Sequence, residues 1–142
     1  MRLDPKLSNL YIILMWALLV GVALIFRPLL PVDETRYLAV AWDMWLEGHY
    51  LVPHLNGEPY SHKPPLLFWL MTAGWYFFGV NDWWPRLVAP GFGLGTVFLT
   101  ALLGKFLWPG RSHVYVSAPL ILFGTLFWSV FTTLTMFDMM LA

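Results

Sequence analysis

The residues best able to do chemistry in this 142-residue chain are few and far apart. Asp33 and Glu34 are adjacent in VDETRYL, Lys63 precedes two prolines in SHKPPLL, and Asp138 ends an apolar run in TLTMFDMM. An adjacent acidic pair can bind a metal or act as a general base. It can also simply favour the dipole at a helix N-terminus. Pro64 forces Lys63 out of the helical region, and Pro65 suits a helix start. A lysine held there can grip an anionic headgroup such as a phosphate, although snorkelling at an interface would also explain it. Asp138 follows 26 residues without a formal charge. An acid at the end of an apolar span is costly unless it is paired or faces water, so it is a functional candidate. The alternative is a plain loop acid.

Other side chains carry less. His49, His54 and His62 have a spacing that fits no helical metal motif, and each reads as a surface or hydrogen-bonding histidine. Gly91, Gly93 and Gly95 spell G-x-G-x-G inside an apolar run with no strand before it. Dinucleotide binding therefore fails as a reading, and close helix packing is the better one. With no Cys, a disulfide framework, a thiolate zinc site and a thiol nucleophile are excluded.

The elements that position these residues follow from composition. Only 11% of the chain is charged and 59% is hydrophobic, too few charges to coat a soluble globule of this size. The nine Trp and six Tyr suit a membrane–water interface. A formal net charge of zero leaves no basic footprint for nucleic acid.

Four stretches lack Asp, Glu, Lys and Arg: Leu7–Phe26, Pro64–Asn81, Leu87–Gly104 and Ser112–Phe137. A spanning helix needs about 20 apolar residues, so all four qualify by length. Arg2 and Lys6 before the first, and Lys105 and Arg111 between the last two, mark cytoplasmic ends. Both basic segments lie inside only if Pro64–Asn81 does not span. Its apolar core, Leu66–Phe78, gives about 20 Å of helix against a bilayer core of about 30 Å. The expectation is an all-α membrane protein with about three transmembrane helices, at about 8–27, 87–107 and 114–135. A long first periplasmic loop at about 28–86 would carry two juxtamembrane helices, and the N-terminus would be cytoplasmic. Under this odd span count Asp138 emerges on the same side as Asp33, Arg36 and Lys63.

Within the loop, Tyr37, Leu38, Ala41, Met44 and Trp45 recur at helical spacing, with Arg36, Asp43 and Glu47 on another face. Asp33 is a candidate N-cap and Gly48 a stop. Tyr50–Tyr60, with Pro53, Asn56-Gly57 and Pro59, reads as turn-rich and irregular.

The stretch DETRYLAVAWDMWLEGHYLVPHLNGEPYSHKPPLLFWL resembles the first periplasmic loop of bacterial GT-C glycosyltransferases. These include the protein O-mannosyltransferase-like enzymes and the aminoarabinose transferases that modify lipid A. The resemblance continues through FGVNDWWPRL and, more weakly, to TTLTMFDMMLA, about residues 30–140. It implies an inverting enzyme of the bacterial inner membrane. That enzyme takes a sugar from a polyprenyl-phosphate carrier and gives it to a lipid, glycan or protein acceptor at the periplasmic face. On this resemblance Asp33 matches the essential carboxylate and Asp138 the acid after the third span. Arg36, Lys63 and Tyr60 match residues near the carrier phosphate, and Glu34 joins the substrate-binding set. The position before the lysine is often Glu in that family, where it is associated with a metal. Here it is His62, which can still ligate zinc, so a divalent metal stays an open cofactor.

The chemistry is consistent. Arg36 and Lys63 would stabilise the leaving phosphate as preorganised cations. Asp33 would accept or orient the acceptor's proton, with Asp138 positioning the acceptor. Family members are several times longer. The chain therefore reads as their N-terminal part, residues 1–142 as one membrane unit, expected to lack activity alone. Two other readings stay open: a non-catalytic membrane subunit binding anionic lipid, and a transporter or proton-relay fragment built around Asp138.

Overall fold

The computed structural model describes residues 5–141. It contains α1 (Pro5–Phe26), α2 (Asp33–Glu47), β1 (His54–Leu55), β2 (Glu58–Pro59), α3 (Leu66–Phe78), α4 (Trp83–Leu107), α5 (Ser112–Phe123), α6 (Leu126–Phe131) and α7 (Asp138–Leu141). Mostly helical, it has two helices long and apolar enough to cross a membrane, Leu7–Phe26 and Trp83–Leu107. Exposed Leu10, Leu14, Leu18, Ile25 and Phe26 on α1 suit a lipid solvent.

Three apolar passes of the chain through the fold, α1, α4 and the α5–α6 segment, alternate in direction, and among the described residues only α1 and α4 are long enough to cross a membrane. The start of α1 meets the start of α5, where Asn9 and Tyr115 share hydrogen bonds of 3.2 and 3.3 Å. Midway, the Trp16 indole donates to the Pro90 carbonyl at 2.9 Å. The end of α1 meets the start of α4 through Arg86. Small residues set the spacing of the last two passes. A Cβ on Gly104 would lie 3.2 Å from Val114, and one on Gly93 only 2.0 Å from the Thr132 hydroxyl. Ile12, Val97, Phe123 and Trp128 fill the core between passes.

The third pass differs from the single helix expected at 114–135. Pro119 lies inside α5, α5 stops at Gly124, and Thr125 is extended (ψ 132°) before α6 begins. Proline removes a helical hydrogen bond and glycine weakens continuation, so an apolar run of this length breaks in two. A non-helical turn over 132–137 then leads to α7.

The loop between α1 and α4 follows its sequence signals more closely. Gly48 caps α2 in the left-handed region (φ 76°), its N–H bonded to the Met44 carbonyl at 3.0 Å. α2 starts at Asp33 itself, with Val32 in the cap position and no side-chain cap bond, so Asp33 is not the N-cap. Tyr50–Tyr60 is more ordered than expected. Asn56 (φ 55°) and Gly57 (φ 83°) turn a two-residue hairpin, pairing His54 with Pro59 and Leu55 with Glu58. α3 has the bounds of the apolar core, Leu66–Phe78. Trp84 lies across it, donating to the Leu70 carbonyl at 2.9 Å. Only a glycine at position 74 admits that indole, because a Cβ there would sit 1.6 Å from its nitrogen. α4 begins at Trp83, four residues before the expected span, and Asn81 Oδ1 accepts the Trp84 N–H at 2.8 Å.

The glycine run in α4 divides. Gly93 makes the expected close packing, whereas Gly91 and Gly95 meet nothing within 4 Å of an added Cβ. They line an open apolar cavity of about 480 Å³ with Leu87, Phe92, Leu99 and Met139.

Candidate active site at the α2 end of the passes

The second core cluster joins α2, α3, the start of α4 and the turn before α7. Its centre is aromatic: Tyr37, Phe68 and Phe137 are all buried. Phe137 stands edge-on to Tyr37 at 5.2 Å and to Phe68 at 5.5 Å. Tyr60, also buried, packs edge-on against Phe68 at 6.2 Å. Packed aromatics of this kind stabilise by about 0.5–1.5 kcal/mol per pair beyond their burial. Here they bring four chain segments to one place, and the polar candidates stand around their rim.

Asp33, in the first turn of α2, forms an ion pair with Arg36 one turn on. Both side chains are partly exposed, at 45% and 36%. The Arg36 guanidinium lies 5.7 Å from the Tyr37 ring centre, and its Nε has no hydrogen-bond partner. Lys63 is exposed and reaches across to the turn before α7, with Nζ 5.6 Å from the Phe137 ring centre. Among the described residues it forms no ion pair. Asp138 follows Phe137 directly and is exposed. The Tyr37 phenol feels both ends of the chain. Burial raises its pKa first, and the charges of Asp33 and Asp138 both add to the rise, opposed by Arg36. Burial also raises the Tyr60 pKa, while Arg36 and Lys63 oppose it. Both phenols therefore stay protonated and can donate at neutral pH. Asp33, Arg36, Tyr60, Lys63 and Asp138 thus gather at one end of the passes.

His62 and Glu34 stand differently. The exposed His62 ring lies 5.3 Å from Tyr60. Among the described residues no group of three or more His, Cys, Asp or Glu side chains could hold a metal. Glu34, one position from Asp33, faces inward and is 1% exposed. Its carboxylate is ion-paired to Arg27, with Arg27 Nη2 donating to Oε1 at 3.0 Å. It also accepts the Leu30 N–H at 2.8 Å and the Thr135 N–H at 2.6 Å. Burial pushes its pKa up, but these donors outweigh burial and the net shift is downward. Both oxygens expected to meet substrate are engaged by the protein itself.

Two arginines at this end went unassigned in the sequence. Arg27 also donates to the Thr133 carbonyl at 2.6 Å. Arg86, 7% exposed, donates to the carbonyls of Ala23 (2.9 Å), Leu24 (3.2 Å) and Arg27 (2.7 Å). It closes the C-terminus of α1, where unpaired carbonyls carry partial negative charge. The available signal was position: each arginine flanks an apolar span, where an ionisable residue needs a partner.

No family model matches the chain. It is 30% identical over 131 residues to the undecaprenyl phosphate-alpha-4-amino-4-deoxy-L-arabinose arabinosyl transferase of Yersinia enterocolitica, covering 87% of this chain and 22% of that one. It is 28% identical to transferase 2 of that name from Proteus mirabilis, over 99% of this chain and 25% of the relative. The fold superposes on crystal structures of ArnT from Cupriavidus metallidurans at 26% identity, covering 93% of this chain and 24% of that one. The TM-score is 0.81 for the apo state and 0.75 for the form bound to undecaprenyl phosphate. The chain thus spans about a quarter or less of the length of the relatives it matches.

Proposed function

We propose that this chain is an N-terminal portion of a bacterial GT-C glycosyltransferase of the aminoarabinose (lipid A) transferase type, and that it supplies the carrier-phosphate side of an inverting sugar-transfer site. The donor is a sugar linked to a polyprenyl phosphate, and the acceptor is reached at the periplasmic face of the inner membrane. The observation that carries this reading is the convergence of Asp33, Arg36, Tyr60, Lys63 and Asp138 on one aromatic cluster.

Each role follows from its surroundings. As the glycosidic bond breaks, negative charge grows on the departing phosphate. Lys63, which forms no ion pair among the described residues, and Arg36, paired only to the partly exposed Asp33, can stabilise it. The protonated Tyr60 phenol adds a neutral donor. Inversion needs the acceptor hydroxyl to attack from the face opposite the phosphate, its proton accepted or oriented by a carboxylate. Asp33 takes that role, and Asp138, the residue after Phe137, positions the acceptor. In the membrane, three passes put the N-terminus in the cytoplasm, with α2 and α3 on the periplasmic surface.

The test uses the chain in detergent with undecaprenyl phosphate as the probe, read by tryptophan fluorescence. Removing a charged partner of a phosphate costs about 1.5–3 kcal/mol, so Lys63→Ala should weaken binding by roughly 10- to 100-fold. Turnover is read in a chimaera carrying residues 1–142 in place of the matching segment of the Cupriavidus metallidurans enzyme. There Asp33→Asn should abolish transfer and leave carrier binding largely intact. Unchanged carrier affinity in Lys63→Ala, or unchanged turnover in Asp33→Asn, would refute the assignment.

A further inference from the structure

In the turn over 132–137 the N–H groups of Thr132, Thr133, Leu134 and Met136 bond to nearby carbonyls, whereas that of Thr135 is taken by a distant side chain. The turn is not helical, yet it delivers both Phe137 and Asp138. Buried backbone groups in such a turn need partners. Two come from one ion pair: Arg27 donates to the Thr133 carbonyl at 2.6 Å, and Glu34 accepts the Thr135 N–H at 2.6 Å. The same pair takes the Leu30 N–H at 2.8 Å, which fixes the link between α1 and α2. One carboxylate thus holds the exit of the first pass, the start of α2 and the turn that ends the third pass.

We propose that Glu34, acting with Arg27, is a positioning residue that sets the placement of Asp138 relative to Asp33. The path is short. Asp33 is the chain neighbour of Glu34, and Thr135 lies three residues before Asp138. Phe137 and Met139 seat the turn by apolar contact, against Tyr37 and near Gly93 respectively. Apolar contact is non-directional, whereas a donor to one carbonyl and an acceptor from the next-but-one N–H define the orientation of the turn. The clamp also has a polarity. Position 27 must donate and position 34 must accept, so an ion pair with exchanged ends would restore charge balance and still fail. Its catalytic meaning rests on the sugar-transfer reading, but its geometry does not.

The chain has no cysteine, so spin labels can be attached at Ala39→Cys on α2 and Leu141→Cys on α7, both exposed positions. In reconstituted chain, electron–electron distance measurements should give one narrow distribution, lost in Glu34→Gln. The exchanged pair Arg27→Glu/Glu34→Arg should not recover it. In the unmutated chain the Thr135 amide proton should resonate well downfield, a measurement that needs no variant to fold. In the chimaera, Glu34→Gln should lower kcat by roughly 100-fold, as expected for a misplacement of about 1 Å, with little change in KM for the carrier. A narrow distribution in Glu34→Gln, recovery by the exchanged pair, or an ordinary Thr135 amide shift would each overturn the clamp. Failure of the unmutated chain to bind undecaprenyl phosphate would instead overturn the functional reading and leave the clamp standing.

Discussion

Replacing Arg86 by Met should destabilise the fold by about 3 kcal/mol, although the residue lies outside the chemistry. The estimate starts from the end of α1. Pro28 has no N–H, so it cannot close the helical bond to the Leu24 carbonyl. Arg86 supplies that partner at 3.2 Å and also reaches the Arg27 carbonyl at 2.7 Å. The Ala23 carbonyl keeps the Arg27 N–H at 3.1 Å even without Arg86. Methionine would therefore orphan two carbonyls. Each buried orphan costs about 1–3 kcal/mol, a sum of roughly 2–6 kcal/mol. The lower half of that range applies, since the Arg27 end is partly exposed and recruits water. Arg86→Lys keeps the charge but not the fork geometry, and should recover about half. Denaturant unfolding in detergent micelles, followed by tryptophan emission, measures the difference. A Met variant within about 0.5 kcal/mol of the parent, the range of ordinary surface substitutions, would refute the capping argument.

Three further outcomes follow from the same structure. Because the folded pKa of Glu34 is lowered below 4.5, its contribution is fully present above the unfolded value and is lost as pH falls through the folded one. The parent's resistance to thermal unfolding should therefore weaken on the acid side of 4.5, and Glu34→Gln should flatten that dependence. Gly93→Ala should cost about 1–3 kcal/mol by overpacking against Thr132. Gly91→Ala and Gly95→Ala should be near neutral, and unfolding curves for the three variants separate these cases. A cysteine placed at Asp82 should be labelled from the periplasmic side of intact cells, and labelling only from the cytoplasmic side would overturn the three-pass arrangement.

The parts legible in the sequence were those with a local cause. The bounds of α3 and the stop at Gly48 follow from an apolar core and a left-handed glycine, both readable within a few residues. The placing of Asp138 beside Asp33 has no local cause: it needs an odd number of spans, a count that charge asymmetry favoured but that no short stretch of sequence announces. The break at Gly124 had its signals in Pro119 and Gly124, but uniform hydropathy outweighed them in a composition reading. The hairpin was hidden because two-residue strands have no periodicity, although its Asn-Gly turn was plain. The role of Glu34 was the least legible feature. Two of its partners are backbone N–H groups, which no side-chain identity announces, and one lies 101 residues away.

Asp33 and Glu34 therefore show how one chemistry splits into two tasks. Successive helical residues point about 100° apart, so an acidic pair in the first turn of α2 sends one carboxylate outward and the other inward. Inside, Glu34 is fixed by directional donors and is hard to displace. Outside, Asp33 holds Arg36 in an exposed ion pair, a kind that solvent screens and that adds little to stability. A phosphate offers the guanidinium a stronger, bidentate partner. On the proposed reading, arrival of the carrier then draws Arg36 away from Asp33 at little cost and leaves that carboxylate free for the acceptor. The weakness of the outer pair and the rigidity of the inner one are thus both requirements of the same site.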